Sequence, residues 1–210
     1  MLSQKNLSAF LDELASNSPA PGGGSVASLA GALGSALTTM VCNLTVGKKK
    51  YAAVDAEMKN IIPRSEALRK QFTHLIDRDT DAFNKVMEAY GLPKESEDQV
   101  ALRNAAIQEA TKEATLVPLE VMKHAIDAMA LAHIVAQKGN VNSISDAGVS
   151  TLMLHAACEG AALNVNINLN GITDTEFVGW KREEVNSILK TSRMKSDEVM
   201  SLVRTKLIDA

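Results

Sequence analysis

The chain has 210 residues, a formal net charge of −3 and a hydrophobic content of 46%. This length and apolar content are enough for one domain with a substantial core, so we predict a single domain over residues 1–210. The near-balanced charge and an aromatic content of 3% argue against a nucleic-acid-binding surface. The two cysteines, Cys42 and Cys158, lie in apolar helical patterns, which predicts buried free thiols rather than a disulfide framework.

The N-terminal part of the chain begins with a short amphipathic pattern, residues 7–14. Asp12 and Glu13 stand where a signal peptide would carry its apolar core, so we expect no secretion signal and a cytoplasmic protein. A breaker loop, PAPGGGS at 19–25, then leads into a helix start. Consecutive free N–H groups before a helix can bind an anion, although a flexible turn explains the loop equally well. The candidate anion-binding residues are Gly22, Gly23, Gly24 and Ser25.

The next predicted helix, residues 26–46, contains no charged residue and is long enough to cross a bilayer. Its serines, threonines and alanines dilute the hydrophobicity, so we favour a buried helix of a soluble protein and expect no membrane partner. Larger residues form one ridge of this helix, and small residues form a stripe through Ala27, Gly31, Ser35 and Thr38. Such a stripe predicts close packing against an identical or similar helix. The short basic run Lys48, Lys49 and Lys50 follows.

Residues 51–90 read as a long helix whose apolar side chains recur every three or four positions. Asp79 falls in the middle of that apolar face, between Phe72 and Phe83, whereas Asp77 and Asp81 project to the opposite side. An inward carboxylate is suited to proton transfer because an apolar setting disfavours its charged form. The alternative is a structural acid paired with a lysine, an arginine or a helix N-terminus, and periodicity leaves both open. Pro63 should kink or divide this helix.

The remaining segments also predict helices. One runs from about Ser96 to Leu116, Pro118 starts or kinks another that closes at Gly139-Asn140, and a further helix begins near Ala147. The alternating segment 164–170 is ambiguous between strand and helix. The stretch from Thr175 to Leu207 predicts one or two outer helices, and the whole sequence predicts an all-α fold.

Two groups of polar residues can bind a heterocycle or simply cap helices. The first surrounds a helix start and the second adds two amides that share a face if the segment is helical. Their members are Asn140, Asn142, Ser145 and Asp146, and then Asn164 and Asn168. The four histidines show no metal-ligand spacing, so we predict an acid–base enzyme without a metal or cofactor.

The chain strongly resembles the formimidoyltetrahydrofolate cyclodeaminase family, which also includes methenyltetrahydrofolate cyclohydrolases. The matching segments occur in the family's order and cover most of the chain. They are SPAPGGGSVASLAGALGSAL (18–37), VCNLTVGKKKY (41–51), LIDRDTDAF (75–83), GLPK (91–94), VPLE (117–120), KGNVNSISDAGV (138–149) and GAALNVNINL (160–169).

The resemblance implies an all-α bundle of long helices that forms a homodimer, with a folate site near the subunit interface. It also implies that the catalytic acid is the aspartate four residues before the phenylalanine of the D-x-D-x-(D/E)-A-F segment. That residue is Asp79, which the helical periodicity independently directs inward. The transferase domain fused to this domain in animal relatives is absent from this sequence, so a glutamate formimidoyltransferase would be a separate protein.

The expected reaction is the conversion of 5-formimidoyltetrahydrofolate to 5,10-methenyltetrahydrofolate with release of ammonia, in folate one-carbon metabolism and histidine degradation. We expect the glycine loop and Lys48–Lys50 to hold the glutamyl tail of the folate. The Asn140–Asp146 loop, with Asn164 and Asn168, would hold the pterin. The alternative reaction at the same site is the methenyltetrahydrofolate cyclohydrolase. A third interpretation is a non-catalytic helical interaction module, which would have no use for an inward Asp79.

Overall fold

The computed structural model describes residues 1–208, and this part of the chain is helical without a β-strand, which confirms the all-α prediction. Short 3-10 turns at Leu2–Gln4, Lys49–Val54 and Val141–Ser143 precede three of the helices. The six α-helices are, in chain order, α1 (Leu7–Leu14), α2 (Gly23–Asn43), α3 (Asp55–Tyr90), α4 (Glu97–Lys138), α5 (Ile144–Leu169) and α6 (Thr175–Ile208).

Helix α2 lies between α3 and α5, and its small-residue stripe is what lets these helices approach. A Cβ added to Gly31 would lie 2.4 Å from the ring of Phe72 on α3, so only a glycine fits there. Ser65 Oγ on α3 donates to the Ser35 carbonyl at 2.8 Å. The predicted close packing is therefore present within the chain, where α3 and α5 are the helices that contact α2.

The opposite ridge of α2 faces outward instead, with Leu33 50% exposed. In residues 1–208, α2 is the helix that is long and apolar enough to cross a membrane, with a mean hydropathy of 1.5. Only 56% of its most apolar window is buried inside the molecule. By length and composition alone this is weak support for a membrane span, because core helices of soluble proteins meet the same test.

Both internal prolines lie within continuous helices, so of the predicted alternatives the division at Pro63 and the start of a new helix at Pro118 are wrong. Pro63 is exposed in α3, where water can satisfy the backbone carbonyl that a proline leaves without a donor. Pro118 is buried in α4, where the equivalent carbonyl, that of Ala114, accepts a hydrogen bond from a side chain of α5.

The ambiguous segment 164–170 forms the last turns of α5. Its apolar residues Val165 and Leu169, four positions apart, are 0% and 1% exposed, so burial of one helical face decides against the strand. The C-terminal stretch is one helix, α6, which packs on α4 and α5. Lys206 Nζ on α6 donates to the Ala136 carbonyl at 2.8 Å, near the C-terminal end of α4 where a cation is favoured.

Candidate active site

The N-terminal end of α2, the C-terminal third of α3 and the C-terminal end of α5 surround a cavity of about 340 Å³. Asp79 reaches this cavity from α3, and the glycine loop forms one side of it. The lining residues are Pro19, Ala20, Gly22, Gly23, Gly24, Asp79, Phe83, Val86, Ala114, Asn164, Ile167 and Asn168. The volume is in the range of small-molecule sites, and a few polar groups set in an apolar wall are typical of such sites.

Asp79 is half-buried and meets the start of α2 directly. Ser25 Oγ donates to Asp79 Oδ2 at 3.0 Å and lies 3.3 Å from the Ile76 carbonyl, a second acceptor for the same hydroxyl. A Cβ added to Gly24 would lie 2.0 Å from Asp79 Oδ1, so the carboxylate occupies the space that a side chain would need. A glycine is therefore required at position 24, because the Asp79 carboxylate approaches the backbone there so closely.

The pKa of Asp79 is raised above its ordinary value because burial disfavours the carboxylate. The hydroxyl and the backbone N–H of Ser25 both act in the opposite direction by donating hydrogen bonds to the charged form. In residues 1–208, no lysine or arginine pairs with Asp79. The alternative of a structural acid is supported only for the pairing with a helix N-terminus. Asp79 lies at the N-terminus of α2, where the N-cap residue, Gly22, has no side chain that could accept a hydrogen bond.

Asn164 and Asn168, which share one face of α5 as the helical interpretation predicted, both line the cavity. Asn164 Nδ2 donates to the Gly160 carbonyl at 2.8 Å, and Asn168 Nδ2 donates to the Ala114 carbonyl of α4 at 3.1 Å. Each amide is fixed through its NH2 group, so its oxygen is left for another partner.

The basic run does not lie at this cavity. Lys48, Lys49 and Lys50 are exposed beyond the other end of α2, and Lys48 and Lys49 line a shallow depression with Asp55 and Lys59. The 21 residues of α2 separate the two ends by about 30 Å. Within one chain, the lysines and the glycine loop therefore cannot contact the same part of a ligand.

The loop after α4 also lies at that far end, and Asn140 has a structural role there. Its Nδ2 donates to the Leu44 carbonyl at 3.0 Å, its Oδ1 accepts from the Asn142 N–H at 3.2 Å, and the residue is 6% exposed. The expectation that Asn140 contacts the same ligand as Asn164 is not supported, because its polar atoms are used to fix the end of α2. Asn142 and Ser145 are exposed and Asp146 is half-buried, all away from the cavity.

Sequence reasoning missed the apolar wall of the cavity. Phe83, Val86, Ala114 and Ile167 contribute to it from three different helices. Phe83 and Val86 follow Asp79 at four and seven positions on the same helical face, a spacing that could have identified them. Ala114 and Ile167 carry no such signal, since their proximity depends on how α4 and α5 pack.

The neighbouring acids differ from the prediction in one respect. Asp81 is exposed as expected, but Asp77 is half-buried and accepts hydrogen bonds from the backbone N–H and the hydroxyl of Ser3.

The expected free thiols are confirmed, and burial raises the pKa of both Cys42 and Cys158 to about 11. Over residues 1–208, no group of three potential ligands is placed to hold a metal ion.

An all-helical bundle that presents a desolvated carboxylate and two oriented carboxamides in one cavity defines a candidate acid–base enzyme. The sequence model of the formiminotransferase-cyclodeaminase family matches residues 6–187. The chain therefore belongs to the formiminotransferase-cyclodeaminase family, as its motifs indicated.

Individual relatives carry two different activities in their names. The chain is 44% identical to a methenyltetrahydrofolate cyclohydrolase of Methylorubrum extorquens, with 99% of this chain and 100% of that protein covered. It is 34% identical to the formimidoyltransferase-cyclodeaminase of Rattus norvegicus over 96% of this chain, but it spans only 37% of that longer protein. A crystal structure of formiminotetrahydrofolate cyclodeaminase from Thermotoga maritima superposes with a TM-score of 0.82 at 33% identity, covering 100% of this chain and 98% of that one.

Proposed function

We propose that this chain is a folate-interconverting enzyme in which Asp79 transfers protons at the one-carbon unit of a tetrahydrofolate. The observation that carries the proposal is the Asp79 carboxyl, half-buried in the cavity with its pKa raised by desolvation and without a cationic partner in residues 1–208. A carboxyl with a raised pKa exchanges protons more readily near neutral pH than an exposed one. Family membership supplies the substrate class.

Of the two reactions, we now place the cyclohydrolase first and the cyclodeaminase second. The sequence motifs alone favoured deamination, but the 44% identity to a cyclohydrolase extends over that whole protein and is higher than the identity to the cyclodeaminases named above. Both reactions share methenyltetrahydrofolate, and both form or break a carbon–nitrogen bond at the bridging carbon. One acid–base residue can therefore serve either.

In the hydrolysis, a water attacks the bridging carbon of methenyltetrahydrofolate and Asp79 accepts one of its protons. The tetrahedral intermediate then collapses: the second water proton leaves to solvent, a carbon–nitrogen bond breaks, and Asp79 returns its proton to the departing nitrogen. The products are formyltetrahydrofolate and one net proton. In the deamination, the anilinic nitrogen attacks the formimino carbon, and Asp79 carries the proton from that nitrogen to the leaving amine.

Absorbance at the methenyltetrahydrofolate band, followed in both directions, separates the two reactions. A loss of the band from supplied methenyltetrahydrofolate that is faster than in buffer, without activity on the formimino substrate, is the result expected of a cyclohydrolase. Appearance of the band from formimidoyltetrahydrofolate with ammonia released would instead establish the cyclodeaminase. If the protein shows neither activity and does not bind folate, the interpretation that remains is a non-catalytic helical interaction module.

The dimer implied by the family resemblance has a suitable surface on this chain. Helices α2 and α5 run side by side in opposite directions, with Gly23 beside Asn164 and Thr38 bonded to Ser150. The outward sides of these two helices together form one surface, and α2 contributes no charged residue to it. Its exposed apolar residues are Val26, Leu33, Met40, Leu44, Val149, Leu152, Leu163 and Ile167.

We propose that a second copy of this chain covers this α2–α5 face. A two-fold axis across its middle would bring the far end of α2 in one copy beside the cavity end in the other. Lys48–Lys50 of the partner subunit would then stand where a glutamyl tail leaves the cavity, which is how these lysines can still serve the predicted role.

Mixed dimers test this arrangement. The variant Asp79→Asn and a variant with Lys48, Lys49 and Lys50 changed to glutamine should each be weakly active alone. If each site uses one chain's Asp79 and the other chain's lysines, mixing should restore activity, because one composite site is then intact. Activity that stays at the sum of the two variants, or a monomeric wild-type protein by sedimentation, would contradict the proposal.

A further inference from the structure

Pro118 interrupts the hydrogen bonding of α4 without breaking the helix. A proline has no backbone N–H, so the carbonyl four residues earlier, that of Ala114, receives no helical hydrogen bond from it. Ala114 is 8% exposed and lines the cavity. A buried carbonyl without a donor is costly, so its replacement partner is informative.

That partner is a side chain of the candidate site. Asn168 Nδ2 on α5 donates to the Ala114 carbonyl at 3.1 Å. Because the acceptor is a carbonyl oxygen, the contacting atom must be the amide nitrogen, which fixes the orientation of the whole carboxamide. Among residues 1–208, nothing donates to Asn168 Oδ1, and the residue lines the cavity.

The carboxamide of Asn164, one helical turn earlier on α5, is also oriented by a hydrogen bond from its nitrogen. Its Nδ2 donates to the Gly160 carbonyl at 2.8 Å, and its Oδ1 likewise receives no hydrogen bond from residues 1–208. The α5 side of the cavity therefore presents two amide oxygens as acceptors. The ligand edge that matches two acceptors carries two N–H donors, and the aminopyrimidinone edge of a pterin, with its ring N–H and its exocyclic amino group, is such an edge.

We propose that Pro118 is a positioning residue of the substrate site. By withholding its N–H, it leaves the Ala114 carbonyl free to hold Asn168, so that Asn168 Oδ1 faces the cavity as an acceptor for a donor-bearing ring. This inference rests on the proposed function for the identity of the ring, whereas the orientation of the carboxamide follows from the chain itself.

Pro63 provides a matched control. It also lies inside a long helix, but it is exposed on α3, and the Lys59 carbonyl that it leaves without a donor belongs to an exposed residue. The variant Pro118→Ala restores an N–H near Ala114, and Pro63→Ala restores one far from the cavity. Both should fold about as stably as the wild type, since each gains a helical hydrogen bond.

The kinetic result expected for Pro118→Ala is a KM for the folate substrate raised about tenfold with kcat nearly unchanged, the size of one lost hydrogen bond. Pro63→Ala should leave both parameters at wild-type values. In the Pro118→Ala background, the further change Asn168→Ala should raise KM much less than it does in the wild type, because the two changes disable one interaction. A merely structural Pro118 would alter thermal stability and leave KM unchanged.

The side-chain amide signals of Asn168 in a ¹⁵N-labelled protein, identified by their loss in Asn168→Ala, give a readout that needs no substrate. They should shift in Pro118→Ala and stay in place in Pro63→Ala. Unshifted signals would overturn the proposal, because Ala114 would then accept both donors. Shifted signals with an unchanged KM would overturn it too. If wild-type protein neither binds nor converts a folate, the proposed function fails, while the amide signals still decide whether Pro118 sets the orientation.

Discussion

The two ends of α2 were both expected to bind substrate, and the structure gives them different properties. At the N-terminal end, Gly24 makes room for Asp79, and the amide oxygens of Asn164 and Asn168 accept no hydrogen bond from the described part of the chain, residues 1–208. At the C-terminal end, Asn140 uses its amide to hold the Leu44 carbonyl. A polar side chain at a helix end is available for chemistry only when its hydrogen bonds to the protein leave an atom free.

The strongest test of this contrast is Asp79→Asn. Because the amide keeps the shape of the side chain but cannot carry the proton, we expect kcat to fall about 10²- to 10⁴-fold, the usual contribution of a general acid–base group. Folate binding and the thermal midpoint should stay close to those of the wild type. Asp81→Asn, in an exposed position two residues away, is the control and should retain full turnover. An unfolded Asp79→Asn protein would instead indicate a structural carboxylate.

Gly24→Ala tests the close approach at the same end. The added Cβ would lie 2.0 Å from Asp79 Oδ1 and must displace the carboxylate, so we expect turnover to fall about 100-fold, as for an ångström-scale misplacement of a catalytic group. Gly160→Ala is the matched control on α5, where the new Cβ meets Ala27 at an ordinary 3.5 Å. Steady-state kinetics of both variants should separate them, and equal activities would show that the carboxylate can move without loss.

At the other end of α2, Asn140→Ala should affect stability rather than activity. The change leaves the Leu44 carbonyl without its side-chain donor, which should lower the free energy of unfolding by about 1–3 kcal/mol. Urea denaturation measures this loss. The KM for folate should not change in the folded variant, since Asn140 is 6% exposed. A raised KM with unchanged stability would reinstate Asn140 as a binding residue.

These contrasts also show what the sequence could provide. The helical period placed Asp79 on the inner face of α3, because such a pattern depends only on residues near in sequence. For Asn164 and Asn168 it gave a shared helical face only on the condition that segment 164–170 is a helix. It also predicted the helical character of the chain. The sequence left open whether Pro63 and Pro118 end a helix or only kink it, since tertiary packing and solvent access decide whether a proline breaks a helix.

The contacts between distant helices could not be read from the sequence. That Asn140 bonds Leu44 and that Asn168 bonds Ala114 depends on how α4 packs against α2 and α5. The sequence therefore offered both asparagines as equal candidates for ligand binding. Their different roles follow from hydrogen bonds that join residues 96 and 54 positions apart.

The smallest expected effect concerns the cost of placing a charge at Asp79. Burial raises its native pKa, so the native protein binds a proton more tightly there than the unfolded chain does. Stability from this group is then present below the unfolded pKa, about 3.9 for aspartate, and is lost as the pH rises through the native pKa. Relative to the wild type, Asp79→Asn should become more stable as the pH rises through that window.

Denaturation of both proteins at several pH values measures this difference directly. The contributions of the other carboxylates cancel in the comparison, because only residue 79 differs. If the stability difference instead shifts in favour of the wild type as the pH rises, the hydrogen bonds from Ser25 outweigh desolvation, and Asp79 acts chiefly as a cap for α2. A shift in the expected direction means that the fold gives up stability to keep an ionisable carboxyl at the cavity, as active sites commonly do.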